Sequence, residues 1–192
     1  MKKKIKNKNI EIETAITFLK KGKLILYPTD TVWGIGCDAT SSKAIKNLYN
    51  LKKRDEGKAM ICLVNDYQML KSYIPKISIS QLSYLNSKIP TTVIFENSKG
   101  ISEKALGENK SIAMRIPKHN FCNKLITKFG KPIISTSANI SNKQSPLNFH
   151  QIENEILDGV DYVVNLEKEI VTKKTSRIIK IDSFGEISVI RP

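Results

Sequence analysis

Leu24 to Tyr27 is an apolar run short enough for a buried strand, and Pro28 ends it, because proline cannot donate to a sheet ladder. Three short polar side chains follow at once, Thr29, Asp30 and Thr31, and then come Trp33, Gly34 and Gly36. The run dictates a strand that stops in a polar tip, where hydroxyls and backbone groups need partners and a ligand can supply them. In the loop after this tip, the two glycines let the backbone turn tightly or approach a bound molecule closely, and Trp33 is the single indole of the chain. Taken alone, Pro-Thr-Asp-Thr reads equally as a self-satisfied turn over a core tryptophan.

The design recurs. Ile133 and Ile134 read as a buried strand that runs straight into Ser135, Thr136, Ser137, Ala138 and Asn139. Two strand tips crowded with hydroxyls and an amide, set side by side, make a crevice of the kind that holds ligands at the ends of open sheets.

Between and around these tips the chain alternates elements. Ile12, Ala15, Ile16 and Leu19 fall at helical spacing, with Gly22 placed to end the helix. Ser41 or Ser42 caps a second helix carrying Ala44, Ile45, Leu48 and Leu51, which leads through Lys52, Lys53 and Arg54 to a strand over 59–64. Short helices are expected around Met69 and Leu70 and around Ile79, Leu82 and Leu85. Strands are expected over 91–95 and 111–116, a helix over 121–129 ending at Gly130, and one helix through Phe149, Ile152, Ile156 and Leu157. A short strand over 162–164 and a hairpin, 177–181 with 186–190 turning at Asp182 to Gly185, complete the series. Many strands mixed with helices imply an α+β (mixed α/β) fold, a single three-layer domain over 1–192 around a mixed, twisted open sheet. Within the 111–116 strand, Arg115 faces away from Met114 and Ile116, onto a side of the sheet where a charge is costly unless solvent or an anion meets it.

Composition narrows the setting. Lys and Arg number 32 against 18 Asp and Glu, giving a formal charge of +14 over 192 residues, which suits an anionic partner such as nucleic acid or nucleotide phosphate. The bias toward Lys, Asn and Ile together is equally the mark of a base-composition effect on a solvated surface. Lys2, Lys3, Lys4, Lys6 and Lys8 read as a basic arm over 1–8. No apolar run is long enough to span a bilayer, and the lysine-rich start has no apolar signal region, so a cytoplasmic protein without membrane contact is expected. Cys37, Cys62 and Cys122 are odd in number and far apart, as expected of reduced thiols.

Several familiar chemistries do not fit. Gly34-x-Gly36-x-x-Ala39 matches the dinucleotide fingerprint only formally, and no phosphate-binding GxxxxGK[ST] loop or GxSxG elbow is present. His119 and Cys122 lie one helical turn apart, but no second pair joins them to make a metal site. What remains is a set of hydroxyls, Thr31, Ser135, Ser137, Ser145 and Ser176, with the cations Lys52, Arg54, Lys58, Arg115 and Arg191. Such groups bind and offset charge while reactants attack one another. The basic residues ending the second helix serve equally as complement to its dipole.

Tyr27 to Gly34 closely resembles the signature of the YrdC-like threonylcarbamoyl-AMP synthase family, and further motifs follow in family order. Lys52-Lys53-Arg54 with Lys58 is similar to the family's Lys-Gly-Arg-Pro stretch, and Arg115 to His119 to its Arg-x-Pro-x-His. Ser135 to Ser141 is similar to Ser-x-Ser-Ala-Asn-x-Ser, and Thr175-Ser176 with Arg191 to the closing Pro-Ser-Thr and Arg. The resemblance implies a YrdC-like domain with a basic concave cavity, and a nucleotidyltransferase that condenses L-threonine, bicarbonate and ATP to threonylcarbamoyl-AMP and pyrophosphate. A tRNA-modifying threonylcarbamoyl transferase would use the product to build N6-threonylcarbamoyladenosine.

Carried over position by position, Thr31, Leu63, Arg115, Ser137 and Ser176 would hold threonine. Arg54, Lys58, Ser111, Ser135, Asn139, Ser145 and Arg191 would surround ATP, and Lys52 with Arg54 would act at the carbamate or phosphate end. Mg²⁺ would travel with ATP on phosphate oxygens, with no metal held by the protein alone. The departures are Lys53 and Asp55 for the family's Gly and Pro, Asn142 for the Gly after Ser141, Lys88-Ile89-Pro90 for Pro-Gly-Pro, and Thr175 and Arg177 flanking Ser176. The C-terminal extension domain of longer members is not expected. The alternative is a paralogue that binds RNA, tRNA included, or nucleotide without making the adenylate.

Overall fold

The computed structural model of the chain describes residues 2–55, 60–172, 174–182 and 184–192. In chain order the elements are α1 (Lys2–Lys20), β1 (Ile25–Tyr27), β2 (Gly34–Asp38), α2 (Ser42–Lys52), β3 (Ile61–Leu63), α3 (Tyr67–Tyr73), α4 (Ile79–Leu85) and β4 (Thr91–Phe95). There follow β5 (Ile112–Arg115), α5 (Asn120–Phe129), β6 (Ile133–Ser137), α6 (Asn154–Gly159), β7 (Tyr162–Val163), β8 (Arg177–Ile181) and β9 (Ile187–Arg191). Among the described residues the strands form one sheet in the order β7-β1-β2-β6-β3-β5-β4-β8-β9. It is mixed: β1–β7, β3–β5 and β4–β8 run parallel and the other neighbours antiparallel.

Alternation along each strand sends successive side chains to opposite faces, and two cores result. On one face Ile25, Tyr27, Leu63 and Ile133 pack beneath α1 (Ile12, Ile16, Leu19) and α5 (Phe121, Leu125, Phe129). On the other, Leu26, Ile35, Cys62, Met114, Ile134 and Ile179 meet α2, α3, α4 and α6 through Ile45, Leu48, Leu70, Leu85 and Ile156. The result is the three-layer arrangement expected. Cys37, Cys62 and Cys122 are free thiols buried in these cores, and burial raises the pKa of each, which leaves them inert.

Three expectations need correction. Gly34 to Asp38 is a central strand, whereas the sequence reads as loop there because glycine weakens strands. The reason is close packing: a Cβ on Gly36 would sit 2.7 Å from the Tyr27 ring, 3.0 Å from Ile133 and 3.1 Å from the Ile134 carbonyl. The glycines therefore approach the chain's own side chains. Helix α1 begins at Lys2, so the lysine-rich start that reads as an arm is wound into helix. Finally, the helix expected from Phe149 to Leu157 is broken. Asn148 caps a short 3-10 turn, Phe149–Gln151, Ile152 is extended, and α6 starts beyond it.

Two of the departures from the family pattern coincide with backbone in the left-handed region. Lys53 ends α2 at φ 49°, donating its N–H to the Asn50 and Tyr49 carbonyls, and Asn142 has φ 67°. Glycine costs least in that conformation, yet the lysine and asparagine here adopt it and keep the turns.

Candidate active site

Tyr27 and Pro28 hand the chain to the first tip. Thr29 Oγ1 donates to the Val32 carbonyl at 2.7 Å and accepts from the Thr31 N–H at 3.0 Å, which fixes the turn. Asp30 and Thr31 are thereby turned toward β5. Arg115 meets them there: Nη2 lies 2.5 Å from Asp30 Oδ1 and Nη1 donates to Thr31 Oγ1 at 2.9 Å. Asp30 Oδ2 also accepts the Lys118 N–H at 3.0 Å. The anion that the buried Arg115 requires is thus Asp30, a residue to which sequence reasoning gave no role. Arg115 Nε is buried and has no hydrogen-bond partner.

The second tip is held from beneath. Lys52, the last residue of α2, donates through Nζ to the Ser137 carbonyl at 2.7 Å and the Asn139 carbonyl at 2.5 Å, and its own carbonyl accepts the Ser141 N–H at 2.9 Å. Its side chain is 2% exposed. Burial, reinforced by the charge of Arg54, pulls its ammonium down to about 8. Lys52 is in position to shape the tip. The sequence held the signal: Lys52 falls four residues after Leu48 on the apolar face of α2.

Register brings the tips together. In the β2–β6 ladder Gly34 pairs with Ser137 and Gly36 with Ser135, while Leu63 of β3 pairs with Arg115 of β5. These positions share the α1/α5 face of the sheet. A cavity of about 180 Å³ opens on them, lined by Thr31, Leu63, Arg115, Ser135, Ser137, Arg54, Ser176 and Arg191 among others. An adjoining cavity of about 170 Å³ is lined by Lys52, Lys53, Arg54, Asp55, Thr136, Ser137, Asn139, Ser141 and Asn142. Arg54, Thr136 and Ser137 are common to both. In the second, the Asn139 Oδ1 and Ser141 Oγ atoms are buried with no hydrogen-bond partner.

The far wall comes from the C-terminal hairpin. Arg191 reaches back across β8 and donates to the Ser176 carbonyl through Nε at 3.0 Å and Nη2 at 2.8 Å. Ser176 Oγ lies 2.8 Å from Thr92 Oγ1. Burial, together with the nearby Arg115, lowers the pKa of Arg191. Both Thr175 and Ser176 line the cavity, while Arg177 stacks its guanidinium 5.3 Å from the Tyr84 ring.

Most of the expected residues therefore gather. Ser111 and Ser145 line neither cavity; Ser111 is taken up in a backbone bridge with Gly107, and Ser145 lies in the loop after the second tip. Lys58 lies outside the described residues. Sequence reasoning missed Asp30 and also Tyr27, whose hydroxyl donates to Ser135 Oγ at 2.7 Å. His119 precedes α5 and pairs with Glu167 at 2.8 Å, with Cys122 Sγ 3.4 Å from its other ring nitrogen. Among the described residues no cluster of three His, Cys, Asp or Glu is arranged to hold a metal ion, and no helix is long and apolar enough to cross a membrane.

A family model, Sua5/YciO/YrdC, described as telomere recombination, matches residues 17–192. The chain belongs to the Sua5/YciO/YrdC family. A threonylcarbamoyl-AMP synthase from Pseudoalteromonas translucida is 31% identical over 158 residues, covering 80% of this chain and 84% of that protein. One from Riesia pediculicola is 36% identical over 140 residues, covering 70% and 75%. Among solved structures, P. abyssi Sua5 complexed with L-threonine superposes with a TM-score of 0.80 at 26% identity over 94% of this chain. This Sua5/YciO/YrdC member spans about half of that longer chain, 53%.

Proposed function

We propose that this Sua5/YciO/YrdC protein is an L-threonylcarbamoyladenylate synthase, a nucleotidyltransferase that condenses L-threonine, bicarbonate and ATP to threonylcarbamoyl-AMP and pyrophosphate. The observation that carries the reading is the convergence of Thr31, Arg54, Arg115 and Ser137, from four separate elements or loops, on one cavity wall. The synthase names of the relatives and the L-threonine bound by P. abyssi Sua5 support it.

In this reading threonine lies against Thr31, Leu63, Arg115, Ser137 and Ser176. Arg115 and the hydroxyls that line the cavity supply the donors that an amino-acid carboxylate accepts. The nucleotide lies against Ser135, Arg54 and Arg191 and extends to Asn139 beside Lys52 and Lys53, where cations offset phosphate charge. The chain contributes positioning and electrostatics, and the reactants supply the nucleophile and leaving group. Mg²⁺ would be held chiefly by phosphate oxygens and neutralise their charge, since the second cavity is lined by cations, hydroxyls and amides with a single carboxylate, Asp55. The reaction belongs in the cytoplasm, where a threonylcarbamoyl transferase acting on tRNA would consume the product.

The test is pyrophosphate release by the purified chain. Release that requires ATP, L-threonine and bicarbonate together is the expected result. Salt-sensitive RNA binding without such turnover would sink the proposal and favour a paralogue that uses its +14 charge for RNA.

A further inference from the structure

Ser135 lines the first cavity, and one buried group decides what its hydroxyl can do. Tyr27 is 1% exposed. Its ring sits 6.4 Å from that of Phe121, centroid to centroid, and lies over Gly36, whose missing Cβ would come within 2.7 Å of it. The ring can therefore neither rotate away nor slide, and its hydroxyl is aimed at Ser135 Oγ at 2.7 Å. Burial raises the Tyr27 pKa well above its ordinary value, so the phenol keeps its proton and stays a donor.

A serine hydroxyl has one proton to give and lone pairs to accept. Among the described residues Tyr27 is the only hydrogen-bond partner of Ser135 Oγ. With an acceptor site of Ser135 occupied from beneath, its own proton is free to point into the cavity that Ser135 lines.

We propose that Tyr27 is a positioning residue that fixes the Ser135 hydroxyl as a donor toward an acceptor oxygen of the bound nucleotide, a phosphate or ribose oxygen. This rests on the reading that Ser135 faces ATP. Tyr27 touches no substrate in this account and acts through Ser135 alone. Thr31, Arg115 and Ser137, on the threonine side, make no hydrogen bond to Tyr27, so the effect is confined to ATP.

Calorimetric titration of the full chain with Mg-ATP and, separately, with L-threonine tests this in the wild type, Y27F, S135A and the double variant. Y27F is expected to weaken ATP by about three- to tenfold, the worth of one hydrogen bond, and to leave L-threonine within about twofold. The double variant is expected to bind ATP no more weakly than S135A. Wild-type ATP affinity in Y27F, or a further loss in the double variant equal to that of Y27F alone, overturns the proposal and leaves the proposed function standing. Wild-type ATP affinity in S135A overturns it too and removes Ser135 from the nucleotide site. A wild-type chain that binds neither ligand sinks both. Should Y27F not fold, wild-type chain carrying ¹³Cζ-labelled tyrosine gives the same decision, with the resonance of Tyr27 identified by its shift in S135A. That resonance is expected to move on adding ATP and to stay in place on adding L-threonine; a Tyr27 signal unmoved by ATP overturns the proposal.

Discussion

Arg115 Nη2 stands 2.5 Å from Asp30 Oδ1, with only 6% and 12% of the two side chains exposed. The pair joins the strand β5 to a tip far away in sequence, and each charge is tolerable in its place because the other is there. Removing one partner strands the other. Asp30→Ala should lower the unfolding free energy by about 3–5 kcal/mol, read from urea denaturation. Asp30→Ala with Arg115→Met should recover part of that loss; a double variant as unstable as the sum of its singles would show that the charges are not coupled.

Lys52 gives a signature in pH. Its ammonium titrates at 10.5 in an ordinary setting and near 8 in the folded chain. Between those values the unfolded chain binds more protons, so the stability contributed at this position is lowest below pH 8 and rises as the pH climbs toward 10.5. Lys52→Met lacks this dependence. The wild-type advantage over Lys52→Met in unfolding free energy should therefore grow by about 1–2 kcal/mol from about pH 7.5 to 9.5. A constant difference across that range would place the folded pKa near its ordinary value.

Gly36→Ala should be costly although it adds one methyl group. The new carbon meets the Tyr27 ring at 2.7 Å and the Ile133 side chain at 3.0 Å, and neither neighbour has open space to yield into. Overpacking of this kind costs about 1–3 kcal/mol, to be read as a lowered urea midpoint with an unchanged slope. Wild-type stability would mean that the strands separate freely at this point.

Lys53→Gly should act in the opposite direction. The left-handed backbone at φ 49° suits glycine, and the exposed Lys53–Glu155 pair that would be lost is worth little. A gain of about 0.5–1 kcal/mol in unfolding free energy is expected, and destabilisation would show that the lysine side chain matters more than its backbone.

Features that are local in the chain could be read from it. The apolar runs that become β1 and β6 stop at Pro28 and at the hydroxyls after Ile134, and the hydroxyls of Thr31, Ser135 and Ser137 line one cavity. Features set by distant contacts could not. Gly34 to Asp38 looks like loop until Tyr27 and Ile133 are seen packed against Gly36. Arg115 declares that it needs an anion, but Asp30 lies 85 residues away in the chain, and only the sheet brings them together. Lys52 reads as a phosphate ligand or a dipole complement, since nothing in its immediate neighbours announces that two carbonyls of the second tip will enclose its ammonium. Lys53 and Asn142, which stand where the family has glycine, both keep positive φ, which their residue types alone do not announce.

The hairpin of β8 and β9 supplies Ser176, Ile178 and Arg191 to a wall whose opposite side is laid down by residues as early as Thr31. A partly synthesised chain that already holds both hydroxyl tips would still leave this pocket open along one flank.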